Sequence, residues 1–86
     1  MPRVIISKNA MKQLKNLKGT KYYENMRGFI RELDDNNFPK GFDIIKVKKD
    51  QSIRVRFGKY RLFYEIDKKE DVIIVHHISL RKKAYK

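Results

Sequence analysis

The chain has 86 residues, no cysteine and a formal net charge of +12, from 22 Lys and Arg against 10 Asp and Glu. This length fits one domain spanning 1–86 with a modest core, and the absence of thiols excludes disulfide and thiolate chemistry. A hydrophobic content of 41% argues against disorder. With no apolar run of signal-peptide or membrane-spanning length, the expectation is a soluble, cytoplasmic protein whose partner is a polyanion and not a membrane.

Arg3-Val4-Ile5-Ile6 reads as a short apolar strand, and Ser7 after it is a good helix N-cap. Ala10, Met11, Leu14 and Leu17 recur at helical spacing, and Gly19 is expected to end that helix in the C′ role. Thr20 caps a second helix, whose apolar stripe is Tyr22, Tyr23, Met26, Phe29, Ile30 and Leu33. Gly28 interrupts this helix, and close helix–sheet packing is the expected reason. Asp34 to Asn37, with Pro39 and Gly41, forms a loop.

Phe42 to Lys48 alternates weakly and reads as a second strand, followed by a turn at Lys49-Asp50-Gln51. The stretch from Lys46 to Tyr64 holds seven bases against Asp50 alone. Within it, Ile53, Val55 and Phe57 alternate with Arg54 and Arg56; after Gly58-Lys59, Tyr60, Leu62, Tyr64 and Ile66 alternate with Arg61, Phe63 and Glu65. Period-2 runs around a Gly-X pair make a β-hairpin, because Gly supplies the positive φ of a primed turn. That loop sets Phe57 opposite Tyr60, Arg56 opposite Arg61, Val55 opposite Leu62 and Arg54 opposite Phe63. One face is then apolar, and the other gathers Arg54, Arg56 and Arg61. Like charges opposed across a sheet are destabilising, so the cluster points to a bound anion, for which Arg has the planar bidentate chemistry.

Val72 to Val75 begins a continuous apolar strand, expected to be central and covered on both faces, that runs to about Leu80. The element order is therefore β-α-α-β-β-β-β. It gives an α+β fold, a largely antiparallel sheet with an N-terminal helical hairpin packed on one face.

No metal or cofactor is expected. His76 and His77 are the only histidines, and adjacent strand residues point to opposite faces, so the pair does not grip one ion. A His near the cationic face retains acid–base capacity. The glycines are scattered and make no phosphate-cradling loop. What remains is the arginine face and the C-terminal tail. If the last strand pairs beside the hairpin, Arg81 approaches Arg61 and Arg56, with Tyr85 following. Tyr85 then offers a base-stacking platform or a proton-transfer phenol, and the arginines stabilise a phosphorane dianion. Arg54, Arg56, Lys46, Lys48, Lys82 and Lys83 complete a candidate RNA-binding surface.

The run Ile53 to Ile66, the apolar strand and the tail Arg81-Lys82-Lys83-Ala84-Tyr85 together resemble the RelE/ParE superfamily of type II toxin–antitoxin toxins, closest to its RelE-like mRNA interferase branch. The resemblance covers essentially the whole chain. It implies a microbial-ribonuclease-like α+β fold and a ribosome-dependent endoribonuclease, in which the 2′-OH attacks the adjacent phosphate without a metal. On that resemblance Arg61 holds the scissile phosphate, Arg81 stabilises or protonates the leaving oxygen, and Tyr85 is the candidate base. Arg54 stands where some members place a lysine, Ser52 where some place a second, and Arg56 supports Arg54. The Arg81–Tyr85 spacing is shorter than in some members, and the C-terminal helix of certain relatives has no counterpart. The implied partners are a cognate antitoxin with an acidic or amphipathic wrapping segment, forming a hetero-oligomer, and the ribosome with its mRNA. Two other readings stay open: a ParE-like DNA gyrase inhibitor and a non-catalytic basic RNA-binding module.

Overall fold

The structure, a computed structural model, describes residues 3–35, 38–46 and 52–80. The chain runs β1 (Arg3–Ile6), α1 (Lys8–Lys15), α2 (Lys21–Leu33), β2 (Asp43–Lys46), β3 (Ser52–Phe57), β4 (Tyr60–Asp67) and β5 (Val72–Leu80), the order expected. The five strands form one sheet in the order β1-β5-β4-β3-β2. Only β1–β5 is parallel; the other pairs are antiparallel.

Both helices begin where a side-chain oxygen meets the orphan amides of the first turn. Ser7 Oγ accepts from the Ala10 amide at 3.0 Å, and Thr20 Oγ1 from the Tyr23 amide at 3.3 Å. The end of α1 differs from expectation. The helix stops at Lys15, and Leu17 and Lys18 donate to Leu14 and Lys15 in tighter i→i−3 turns before Gly19, at φ +89°, redirects the chain. A tight last turn satisfies the free carbonyls without further α-helix.

The helices lie on one face of the sheet. Ala10, Leu14, Leu17, Met26, Phe29 and Leu33 pack against Ile53, Val55, Phe57, Leu62, Tyr64, Ile73, Val75 and Ile78. Phe29 is the hub: its ring meets Phe42, Phe57 and Tyr64 edge-on at 4.9, 5.8 and 5.6 Å. Each such pair contributes about 0.5–1.5 kcal/mol beyond area burial. Burial pushes the Tyr64 phenol far above its ordinary range, so it stays neutral.

The β3–β4 hairpin has the register expected from its loop, Phe57↔Tyr60 through Arg54↔Phe63. Gly58 has φ +62°, and a Cβ there would lie 2.7 Å from Tyr22 Cε1. Gly58 is therefore required by the turn and by α2 together. Gly28 is different. A Cβ there would meet nothing within 4 Å, so close packing does not account for it. The apolar run of β5 is central, between β1 and β4, but among the described residues helices cover one face only. Ile74 is half-buried on the other, beside the exposed Ile5 of β1. Its shielding comes from cross-strand neighbours and not from a second layer.

Candidate nucleic-acid interface

Residues paired directly across a ladder share a face. On the face away from the helices, two rows follow from the registers. The first is Asp43–Arg56–Arg61–Ser79 across β2, β3, β4 and β5; the second, beside it, is Ile45–Arg54–Phe63–His77. Arg54, Arg56 and Arg61 are thus brought together, and all three are half-buried.

Their surroundings differ. Arg56 Nη2 meets Asp43 Oδ2 at 2.7 Å, with a second bond from Nε at 2.8 Å. Its charge is therefore already partly balanced. The Nε of Arg54 is buried and, among the described residues, has no hydrogen-bond partner. A guanidinium N–H left so carries a desolvation cost that an incoming anionic oxygen would relieve.

The last strand holds a feature that the alternation argument missed. Tyr64 pairs with Val75, but Phe63 pairs with His77, so two residues of β5 oppose one of β4. This β-bulge shifts the pleat. The core positions of β5 are Ile73, Val75 and then Ile78. His76 and His77 consequently both stand on the arginine face, which corrects the expectation that they point to opposite sides. His76 Nε2 bonds Glu65 Oε1 at 2.8 Å. His77 stacks on Phe63, centroids 4.4 Å apart and planes 21° off parallel. Partial burial, with His76 beside it, holds the His77 imidazole below its ordinary pKa. The apolar spacing itself was the available signal: Ile73, Val75 and Ile78 fit period 2 only if one residue is extra.

The bulge is tied to α1. Ser7 donates its hydroxyl to the His76 carbonyl at 2.6 Å, and the Ile78 amide donates to Gln13 Oε1 at 2.7 Å. These groups lie where β1, paired with β5 only as far as Val75, no longer reaches.

Lys46 is not brought to this surface. It pairs with Ile53 on the helix side of the sheet, its ammonium 4.3 Å from the centre of the Phe38 ring. Lys48, Arg81, Lys82, Lys83 and Tyr85 lie outside the described residues. Among the described residues no group of three His, Asp or Glu side chains is placed to hold a metal ion, and no helix is long and apolar enough to cross a membrane.

Residues 4–85 match the family described as the ParE toxin of the type II toxin–antitoxin system parDE. The chain is 38% identical over 85 residues to RelE1 of Methanocaldococcus jannaschii, covering 96% of this chain and 93% of that one. Among solved structures it is similar to the archaeal RelE in the RelE–RelB complex of Pyrococcus horikoshii, with TM-score 0.80 and 30% identity over 93% of this chain and 94% of that one. It is also similar to the RelB–RelE antitoxin–toxin complex of Methanococcus jannaschii, with TM-score 0.79 and 28% identity over 94% of each chain.

Proposed function

The chain belongs to the RelE/ParE superfamily of type II toxin–antitoxin toxins, and from that premise we propose that it is a cytoplasmic, ribosome-dependent mRNA endoribonuclease working without a metal. The observation that carries this reading is the arrangement of Arg54 and Arg61 around Phe63 on one sheet face, with the buried Arg54 Nε lacking an acceptor among the described residues. A single RNA strand supplies phosphate oxygens, the acceptors that the buried Arg54 Nε can bond.

In this mechanism Arg61 holds the scissile phosphate and Arg54 a neighbouring phosphate oxygen, with Arg56 in support. As the 2′-oxygen attacks, charge accumulates on the phosphorane, and the fixed guanidinium groups stabilise it more than the ground state. Arg81 stabilises the departing 5′-oxygen. Tyr85 contributes a phenol for base stacking or proton transfer, and Lys48, Lys82 and Lys83 extend the phosphate contacts.

The partner that restrains it is a cognate antitoxin, in keeping with the RelE–RelB complexes of the relatives, and it wraps the toxin with an acidic or amphipathic segment. Apart from the arginine face, α1 and α2 form a shallow trough lined by Ile6, Met11, Tyr23 and Ile30 and rimmed by Arg27 and Arg31. Its apolar floor and basic rim complement such a segment.

Mapping of mRNA 5′ ends after induction, with and without translating ribosomes, tests the enzymatic reading. Cuts that need the ribosome and vanish in Arg61→Ala are expected; intact mRNA in growth-arrested cells overturns it. The second reading is a gyrase inhibitor, favoured by the ParE description of the matched family. DNA damage without mRNA cleavage selects it.

A further inference from the structure

We propose that His77 is the group that takes the 2′-hydroxyl proton in the cleavage step, an inference that rests on the ribonuclease reading. It follows from the bulge in β5. Were β5 regular, His77 would face the helices and Ile78 the solvent. The extra residue reverses this, burying Ile78 and placing His77 directly across from Phe63, one row from Arg61. Same-face residues in adjacent rows of neighbouring strands are about 7–8 Å apart diagonally. An RNA phosphate bound by Arg61 therefore lies within one nucleotide's reach of the imidazole.

The ring is also held as a base must be. Stacking on Phe63 at 4.4 Å fixes its plane and leaves its nitrogens at the ring edge. Ser7 and Gln13 fix the backbone on either side, through the His76 carbonyl and the Ile78 amide. The charged groups facing it are Arg61 and Glu65 on β4, Arg54 on β3 and His76 on β5; at the far end Arg3 of β1 and Asp67 of β4 stand on either side of Val72. Glu65 is engaged with His76, and the other near neighbours, Arg54, Arg61 and His76, are cationic or can become so. That setting favours a neutral imidazole, the form able to accept a proton near neutrality.

The step balances. His77 accepts the 2′-hydroxyl proton as O2′ forms a bond to phosphorus. The P–O5′ bond breaks, the 5′-oxygen takes a proton from water, and the imidazolium returns its proton to solvent. The products are a 2′,3′-cyclic phosphate and a 5′-hydroxyl. Tyr85 is then left the stacking role.

The test is single-turnover cleavage of ribosome-bound mRNA between pH 5.5 and 8.5. Wild type is expected to show an acid limb with its inflection below about 6.5. His77→Gln should lose about 10²–10⁴-fold in rate with that limb abolished, while His76→Gln keeps it. His77→Ala, checked for an intact melting transition, should regain activity with added imidazole, which a purely structural role would not allow. Cleavage by His77→Gln with the limb intact, or a limb above neutrality that disappears in Tyr85→Phe, overturns the assignment of His77 alone. No cleavage by wild type overturns the ribonuclease reading and this inference with it.

Discussion

The Ser7 hydroxyl donates to the His76 carbonyl across 2.6 Å while accepting the Ala10 amide at 3.0 Å. One side chain thus starts α1 and clamps the bulge in β5, 69 residues away. Ser7→Ala loses a cap, at about 0.5–2 kcal/mol, and the solvent-exposed hydrogen bond to the His76 carbonyl, at about 0.5–1.5 kcal/mol. We expect urea unfolding of this variant to give a stability loss near the sum of the low ends, with Ser7→Thr much less affected. A Ser7→Ala protein as stable as wild type would show that water serves the bulge equally well.

Arg56 and Asp43 set a second expectation. Since Arg56 already meets a carboxylate at 2.7 Å, its removal should cost less RNA affinity than removal of Arg54 or Arg61. In fluorescence anisotropy with single-stranded RNA over a salt series, Arg54→Ala and Arg61→Ala should each reduce the slope of log K against log salt by about 0.7. Arg56→Ala should reduce it by less. Asp43→Asn should raise affinity, because it frees a guanidinium for phosphate. Equal losses for all three arginines would mean that the ion pair does not persist in solution.

Two glycines should respond in opposite directions to the same substitution. Gly58→Ala places a Cβ at positive φ and 2.7 Å from Tyr22; the left-handed conformation alone costs about 1–2 kcal/mol. Gly28→Ala meets open space within α2 and should stabilise by about 0.5–1 kcal/mol. Thermal melting reads both signs. A destabilised Gly28→Ala would indicate that the helix surface there is not as free as its geometry suggests.

Met11 is the exposed apolar side chain at the trough between α1 and α2. Met11→Glu puts an anion where an acidic amphipathic partner is proposed to sit, so antitoxin binding measured by calorimetry should weaken at least tenfold. RNA binding through the other face should be unchanged. A variant neutralised as tightly as wild type would move the antitoxin to another surface.

The hairpin was legible from sequence because Gly58-Lys59 leaves one register, and that register alone gathers Arg54, Arg56 and Arg61. The capped helices were legible for a similar reason: Ser7 and Thr20 are local chemistry read within four residues. The placement of the histidines was not, because a bulge is a tertiary compromise. Ile78 belongs in the core formed by both helices, and the pleat is shifted to admit it. Lys46 misled for another reason. Its strand alternates so weakly that its face is decided by pairing with Ile53 and not by its own pattern.

The placement of His77 also makes stability depend on pH. Burial and the neighbouring His76 hold its folded-state pKa below the ordinary value of about 6.5. The unfolded chain therefore binds the proton more readily than the folded one. By linkage, unfolding free energy rises with pH across the window from the lowered pKa up to about 6.5, and the contribution is complete above it. As pH falls through that window the stability is lost. Urea unfolding between pH 5 and 8 should show a steeper decline below 6.5 for wild type than for His77→Gln, with the two profiles parallel above neutrality. Parallel profiles throughout would mean that the imidazole takes up its proton equally well in both states, and that burial and His76 do not keep it neutral.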